Sequence, residues 1–297
     1  MSIPYHALSS SPPPTQTPLE AAPENPFWAS RPVRGGRIAI DKVSVAFGHA
    51  SARTLVLDET SAEILPGEFV SLLGPSGCGK TTLLHSIGGI VVPTTGTVQI
   101  DGVPVAGPSE RCGIVFQQHS LFPWMTVLEN VAFGPKMLGH ASPEGIARTF
   151  LGLVGLEHAK DSYPTQLSGG MQQRVSIARA LATYPPVLLM DEPFGALDAQ
   201  TRAVMHGELM RIWNEFKITI VFVTHDVDEA LILSDRILVM GTAPGKVRQD
   251  IPVGMARPRN PDIAFTPGYI DAKKTIANLI REESIRMFQG GGGHGRS

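Results

Sequence analysis

This sequence of 297 residues has few cysteines, few charges and no long apolar run. Its two cysteines, Cys78 and Cys112, cannot form a disulfide framework, which predicts a protein of a reducing compartment. The 25 basic and 27 acidic residues nearly balance, and this argues against a general nucleic-acid binder, because such proteins carry a basic excess. No apolar run approaches the roughly 18 residues that a membrane-spanning helix needs. The chain is therefore not expected to form a pore itself.

Hydrophobic residues make up 42% of the chain, enough for a sizeable core. At roughly 100–200 residues per domain, the length allows one large domain or two small ones. Residues 1–36 are rich in proline and lack the basic and apolar regions of a secretory signal, so we predict a disordered head. The glycine-rich residues 290–297, with His294, are predicted to be flexible and solvated.

Apolar periodicity predicts an α/β fold. Alternating apolar residues at 38–47 indicate a first strand, and Asp101-Gly102 between apolar residues predicts a β-hairpin. Short apolar runs at 69–73, 114–116, 187–190, 218–223 and 237–240 are typical of strands buried on both faces of a parallel sheet. Helix-like segments separate most of them. One helical face of core residues is expected from Met205, Leu209, Ile212, Trp213 and Phe216.

A phosphate-binding loop is indicated at residues 74–81, where GPSGCGKT fits the pattern G-x-x-x-x-G-K-[ST] between a strand and a helix. Glycines allow the backbone to curl so that its N–H groups point at phosphate oxygens, and the helix N-terminus adds partial positive charge. We expect Lys80 to reach the β- and γ-phosphates and the Thr81 hydroxyl to ligate Mg²⁺. Cys78 is expected to take part through its backbone, not as a catalytic thiol. The predicted nucleotide-binding residues of this segment are Gly74, Pro75, Ser76, Gly77, Cys78, Gly79, Lys80, Thr81 and Thr82.

Polar residues follow three other predicted strands. Asp191 and Glu192 end an apolar strand. Asp191 suits Mg²⁺, and Glu192 is placed to polarise an attacking water. The alternative is that the two residues form an exposed acidic turn after the strand. His225 could bind the γ-phosphate or position the water, but a lone histidine at a strand end is more often structural. Gln117 could contact Mg²⁺ or water through its amide. Because α/β proteins bind ligands at the carboxyl ends of their strands, we expect these residues at one edge of the sheet.

The segment LSGGMQQR at residues 167–174 opens another predicted helix with a serine and two glycines. Taken with the P-loop, Gln117, the Asp191 strand, the loop GALD and His225, in that order, it resembles the ATPase subunit of an ABC transporter. The resemblance covers about residues 37–258. It implies a P-loop NTPase cassette with a mainly parallel central sheet, an antiparallel β subdomain and a helical subdomain at about 118–170. Residues 259–297 would be a short appendage, with an amphipathic helix at 271–287.

The resemblance also implies roles and partners. Phe47 would stack on adenine, and Asp198 would lie in a loop that communicates across a dimer. Ser168, Gly169 and Gly170 would contact the γ-phosphate of ATP bound to the other subunit, so that a homodimer sandwiches two nucleotides. ATP and Mg²⁺ are the implied cofactors. Transmembrane permease subunits would be direct partners and a solute-binding protein an indirect one, with this chain peripheral on the cytoplasmic face of the inner membrane.

Four further segments resemble nitrate, sulfonate and taurine importers, namely FPW, PFGALDAQTR, VTHDVDEALILSDRI and ARPR. The apolar segment at residues 120–131 is either a docking surface for a permease helix or local core. An exporter with separate subunits is an alternative within the same family. A non-transport ABC ATPase acting on DNA or ribosomes typically has two cassettes or long coiled-coil insertions, and neither is found in this sequence. An unrelated P-loop kinase or GTPase would leave the LSGG segment and His225 unexplained.

Overall fold

The computed structural model describes residues 35–48, 53–118, 120–242 and 244–290, without the side chains of 261 and 287–290. Most of the predicted disordered head (1–34) and of the predicted flexible end (291–297, with His294) lies outside the described residues. Within them the strands are β1 Ile38–Phe47, β2 Thr54–Ile64, β3 Phe69–Leu73, β4 Thr95–Ile100, β5 Val103–Pro104, β6 Cys112–Val115, β7 Val187–Asp191, β8 Thr219–Thr224, β9 Arg236–Gly241 and β10 Lys246–Pro252. The α-helices are α1 Lys80–Ile87, α2 Val127–Met137, α3 Pro143–Leu153, α4 Gly169–Leu181, α5 Ala199–Phe216, α6 Val227–Leu233 and α7 Pro267–Gly290.

An antiparallel sheet of four strands forms near the N-terminus, in the order β2-β1-β4-β5. The predicted hairpin is confirmed, since Ile100 pairs with Val103 across a turn in which Asp101 and Gly102 have φ angles of 52° and 76°. Two residues with positive φ give the turn the twist that matches the flanking strands. This sheet contacts the edge of the central sheet. Gly245, just before β10, donates a backbone hydrogen bond to Val56 and accepts one from Asp58.

The central sheet has six strands in the order β10-β9-β3-β8-β7-β6, and all of them are parallel except β10. Every residue of β3, β7 and β8 is buried, as expected for strands covered on both faces. Four of the five predicted runs match their strands to within one residue. The run 114–116 is shifted, because the strand begins at Cys112, which pairs with Val187, and ends before Phe116. Gly113 carries too little apolar signal to mark that start.

Helices cover the central sheet. The predicted core face of α5 is confirmed, since Met205, Leu209, Ile212, Trp213 and Phe216 are all buried. Trp213 also donates a hydrogen bond from Nε1 to the carbonyl of Gly67 at 3.2 Å. Among the described helices, none combines the length and apolar character needed to cross a bilayer.

The predicted C-terminal helix is confirmed as α7, which begins four residues earlier than expected. The hydroxyl of Tyr269 and the ammonium of Lys273 both donate to the carboxylate of Asp228 on α6, each at 2.7 Å. Ile276 is buried in the same contact. Helix α7 is thereby joined to the element that directly follows His225.

Arg259 closes the carboxyl end of α6. Its guanidinium donates to the carbonyls of Leu231 at 2.9 Å, Ser234 at 2.6 Å and Met255 at 2.9 Å. The last carbonyls of a helix have no partner within the helix, and a cation there also suits the negative end of the helix dipole. One side chain therefore links α6 to the segment that follows β10.

We predict that Arg259→Ala lowers the free energy of unfolding by about 2–3 kcal/mol, because several buried carbonyls lose a charged donor together. Equilibrium urea denaturation of the full chain measures this. Arg281→Ala, at an exposed position of α7, is the control and should change stability by less than about 0.5 kcal/mol. Equal stability of the two variants would contradict the capping role of Arg259.

Candidate nucleotide-binding and catalytic site

The predicted phosphate-binding loop connects β3 to α1, as its sequence pattern requires. Gly77 and Gly79 have φ angles of +79° and +90°, which residues with a Cβ atom rarely adopt. A Cβ atom at Gly79 would also lie 2.6 Å from the side chain of Leu57. The glycines are thus needed for the curl of the loop. Cys78 is buried and burial raises the pKa of its thiol, which fits the expectation that Cys78 does not act as a nucleophile.

Lys80 holds its ammonium group inside this loop. The group is 5% exposed and donates to the carbonyls of Gly74 at 2.8 Å and Pro75 at 3.0 Å. It forms no ion pair with a carboxylate of the described residues. A buried cation without an anionic partner is costly, and phosphate oxygens would supply that partner. The loop is therefore suited to a phosphate ligand.

Thr81 and Asp191 meet across the gap between α1 and β7. The hydroxyl of Thr81 donates to Asp191 Oδ1 at 3.0 Å, and Asp191 is 6% exposed. Burial raises the pKa of Asp191, while the hydrogen bond from Thr81 and the nearby His85 act to lower it. A hydroxyl and a carboxylate oxygen beside a phosphate site form the kind of oxygen donor set that Mg²⁺ prefers, since Mg²⁺ uses few protein ligands and completes its shell with phosphates and water. The residues present fit this ion.

Glu192 lies between the other two predicted catalytic residues. Its Oε2 atom is 3.4 Å from Gln117 Nε2 and 3.4 Å from His225 Nδ1. The three residues follow three neighbouring strands, and the side chains of Gln117 and His225 therefore converge on one carboxylate oxygen of Glu192. Gln117 and His225 are exposed, and Glu192 is partly buried, so the group is open to water.

The backbone at Glu192 is strained. Its φ angle is 42°, in the left-handed region that few residues with a side chain adopt outside turns. The amide of Glu192 donates to the carbonyl of Val223 on β8 at 3.1 Å, and its carbonyl accepts from Gly195 at 3.2 Å. These two bonds hold the strained residue in place, with Asp191 and Glu192 directed to different parts of the site.

A buried hydrogen-bond network holds the segment around His225. Glu229 accepts from Thr224 at 2.5 Å and lies 3.2 Å from Nε2 of His206 on α5. The amide of Asp226 donates to Thr224 Oγ1 at 3.0 Å. Burial acts to raise the pKa of Glu229, but the hydrogen bonds from His206 and Thr224 keep that pKa below its usual range. The residues on both sides of His225 are thus fixed by an ionised, buried carboxylate.

The remaining predicted residues lie apart from this cluster. Ser168 is the N-cap of α4 and accepts a hydrogen bond from the amide of Met171 at 3.3 Å, while Gly169 beside it is exposed. Asp198 caps α5 by accepting from the amides of Gln200 and Thr201 at 3.1 Å and 3.0 Å. The side-chain hydrogen bond from Thr201 is the main cause that lowers the pKa of Asp198.

Phe47 and the start of α4 are both exposed and accessible to a ligand. The ring of Phe47 is 48% exposed at the end of β1. Ser168 and Gly169 form no hydrogen bond with the P-loop within the described residues. A helix N-terminus with glycines and free amides is suited to an anion. The start of α4 is therefore suited to an anion, and among the described residues it makes no hydrogen bond with the P-loop.

Two residues beside the site were not predicted. His85 lies on α1 four residues after Thr81, and that spacing places both on one helical face, toward Asp191. Glu229 lies three residues after Asp226, the N-cap residue of α6. The spacing of Thr81 and His85 could have been noticed in the sequence, whereas the contact of Glu229 with His206 joins residues of different helices and has no such signal.

Residues 57–195 match the family described as ABC transporter. An uncharacterized ABC transporter ATP-binding protein of Methanocaldococcus jannaschii is 45% identical over 255 residues, which are 85% of this chain and 94% of that protein. A nitrate import ATP-binding protein of Synechocystis is 43% identical over 235 residues, 76% of this chain and 88% of that protein.

A solved structure shares the fold. It is the dimeric, post-hydrolysis state of an ATP-binding cassette bound to ADP and Pi, with a TM-score of 0.66 and 34% identity. The match covers 74% of this chain and 100% of that one. The predicted fold class, a P-loop NTPase cassette with a mainly parallel sheet, is confirmed by this likeness and by the sheet order. The chain belongs to the family of ABC transporter ATP-binding proteins and is an ATPase of that family.

Proposed function

We propose that this ATPase energises the import of a small anionic solute, of the nitrate, sulfonate or taurine type, through separate permease subunits. The convergence of Gln117 and His225 on Glu192, beside the P-loop, is the observation that carries the catalytic part of the proposal. The relative named as a nitrate import ATP-binding protein supports the importer part. We place the chain peripherally, on the cytoplasmic face of the membrane that holds the permease.

In the proposed reaction, Lys80 exchanges the carbonyls of Gly74 and Pro75 for phosphate oxygens of ATP. The backbone N–H groups of the P-loop, from Ser76 to Thr82, bind the phosphates along the start of α1. Thr81 and Asp191 would hold Mg²⁺ through their oxygen atoms, and the bound ion would neutralise negative charge on the phosphates. We assign the exposed ring of Phe47 to the adenine.

Glu192 acts as the general base for an attacking water molecule. The water oxygen bonds to the γ-phosphorus, its proton passes to Glu192 Oε2, and the bond from the γ-phosphorus to the bridging oxygen breaks, giving ADP and phosphate. Gln117 and His225, each 3.4 Å from that oxygen, hold the carboxylate and orient the water and the γ-phosphate. The left-handed backbone conformation of Glu192, held by its backbone hydrogen bonds, fixes the direction from which the water attacks the γ-phosphorus.

We further propose a head-to-tail dimer of this chain. Ser168, Gly169 and Gly170 would bind the γ-phosphate held by the partner subunit, because Ser168 and Gly169 are exposed and this helix end pairs with no carboxylate of the described residues. Asp198, at the capped start of α5, would lie at the same interface. Each ATP would then lie between the P-loop of one subunit and the Ser168 helix end of the other. The dimer would close when ATP is bound.

For the domain organisation we propose an ATPase cassette at residues 37–258 with a helical subdomain at about 118–170. Residues 259–297 would be an appendage, whose helix α7 is fastened to α6 by Tyr269 and Lys273.

An aromatic surface beside Gln117 is the proposed contact with the permease. The ring of Phe122 packs against Trp124 and Phe133, with centroid distances of 5.6 Å and 5.0 Å. Trp124 is 70% exposed. The buried amide of Asn130 donates to the carbonyls of residues 122, 125 and 126, which fixes this loop. The segment 120–131 thus divides into a buried end that holds the loop and an exposed tip suited to docking.

We predict that Glu192→Gln lowers the ATP hydrolysis rate by at least about 100-fold, because the amide cannot accept the proton. ATP binding should persist and the variant should accumulate as a dimer. Phosphate release, equilibrium ATP binding and size-exclusion chromatography measure the three effects. Lys80→Ala is the contrasting variant, and it should lose ATP binding itself. Hydrolysis at the wild-type rate in Glu192→Gln would disprove the base assignment.

We predict that Trp124→Ala leaves the hydrolysis rate of the purified chain within about twofold but reduces the fraction bound to membranes in the native cell, because the exposed ring anchors the permease contact. Leu65→Ala is the matched control, since Leu65 is also an exposed apolar residue, 52% exposed, in the turn before β3. Membrane fractionation with immunoblotting gives the comparison. Equal membrane binding of both variants would contradict the docking surface.

The solute class is tested by disrupting the gene in its native cell and measuring uptake of labelled nitrate, taurine and an alkanesulfonate. Loss of uptake of one of these anions, restored by the wild-type gene but not by Glu192→Gln, is the expected result. Unchanged uptake of all three would refute the solute class while leaving the ATPase assignment in place.

A further inference from the structure

His85 has a buried ring nitrogen without a hydrogen bond. Its Nε2 atom is enclosed by protein and has no hydrogen-bond partner within the described part of the chain, although the ring as a whole is 22% exposed. A buried polar atom left without a partner destabilises the folded protein. Such an atom next to a functional site requires a physical explanation.

The carboxylate of Asp191 faces this nitrogen. Asp191 Oδ2 lies 3.9 Å from His85 Nε2, while Oδ1 already accepts from Thr81 at 3.0 Å. Thr81 and His85 are one turn apart on α1, so the two side chains bracket one carboxylate from a single rigid helix. A shift of about 1 Å would bring Nε2 within hydrogen-bond distance of Oδ2.

The other side of the imidazole is held by an aromatic ring. His85 meets Phe116 in an edge-on contact, with ring centroids 6.0 Å apart and planes at 65°. Phe116 precedes Gln117 directly in the chain. The orientation of the imidazole is thus fixed by α1 on one side and by the segment that carries Gln117 on the other.

We propose that His85 is a positioning residue for Asp191, and that it donates a hydrogen bond from Nε2 to Asp191 Oδ2 when the metal–nucleotide complex binds. That bond fixes the plane of the carboxylate, so that Oδ1 stays beside Thr81 and the carboxylate would be oriented to help hold a metal ion. A residue that orients a ligand in this way raises metal affinity without touching the metal. This proposal rests on the function proposed above for Asp191.

Two substitutions separate the hydrogen bond from the packing of the ring. His85→Phe keeps an aromatic ring against Phe116 but removes both nitrogens. His85→Gln removes the ring but keeps an amide N–H that reaches a similar distance from the backbone. We expect His85→Phe to weaken binding of Mn²⁺, a probe for Mg²⁺, by about 10-fold, and His85→Gln to stay within about threefold of wild type.

The measurement is the electron paramagnetic resonance titration of Mn²⁺ into the purified full chain saturated with a non-hydrolysable ATP analogue, so it does not depend on turnover. Binding of the analogue in the presence of EDTA should be equal in all variants. Wild-type Mn²⁺ affinity in His85→Phe would overturn the proposal. It would also be overturned if His85→Gln bound Mn²⁺ as weakly as His85→Phe, since the ring and not the donor would then matter.

A double-mutant cycle tests whether His85 acts through Asp191. In an Asp191→Asn background, His85→Phe should weaken Mn²⁺ binding by no more than about twofold, because the residue to be positioned is already altered. A full 10-fold loss in that background would overturn the proposal. If Asp191→Asn alone leaves Mn²⁺ affinity unchanged, the metal role of Asp191 fails and this proposal fails with it. If Asp191→Asn weakens binding and His85→Phe does not, only the role of His85 is refuted.

Discussion

The hydrogen-bond register of the central sheet decides where the polar residues that follow its strands lie. Leu73 pairs with Thr224, and Asp191 pairs with Val223, so three neighbouring strands end at nearly the same level. Val115 pairs with Met190 one strand further on. Because all four strands are parallel, the segments that leave them emerge at one edge. Strand pairing thus brings segments that are distant in the chain to one edge, where Thr81 and Asp191, 110 positions apart, form a hydrogen bond.

Register brings the segments together, but side-chain contacts fix their directions. Glu192 adopts a left-handed backbone held by a bond to Val223, and a buried Glu229 fixes the residues around His225. In each case a costly feature, strain or a buried charge, is compensated by hydrogen bonds from a neighbouring element. Such pre-organised groups do not have to reorganise during a reaction, which is what an efficient hydrolytic site requires.

Much of this could be predicted from the sequence, since buried parallel strands are almost wholly apolar and Asp101-Gly102 specifies its turn. The strand at Cys112 was misplaced at its start because a glycine and a cysteine carry weak signals. From the sequence, Glu192, Gln117 and His225 could be expected only to lie near one another. Which oxygen contacts which donor depends on side-chain rotamers, which the sequence pattern does not specify. The role of Arg259 depends on the chain turning back toward α6 after β10. The local pattern of apolar residues does not predict that turn.

In the proposed dimer, the groups that bind one ATP come from two separate parts of the chain, the P-loop side and the helix end at Ser168. The P-loop side has a buried cation, an oxygen donor set and the proposed base, whereas the exposed helix end at Ser168 has free amides and no anionic partner among the described residues. A helix N-terminus attracts an anion only over the first turn, so it acts on a phosphate only in direct contact. In the proposed dimer, each ATP supplies that contact to the partner's helix end. Nucleotide binding would then stabilise association directly, and loss of the γ-phosphate would remove the charge that holds the two chains together.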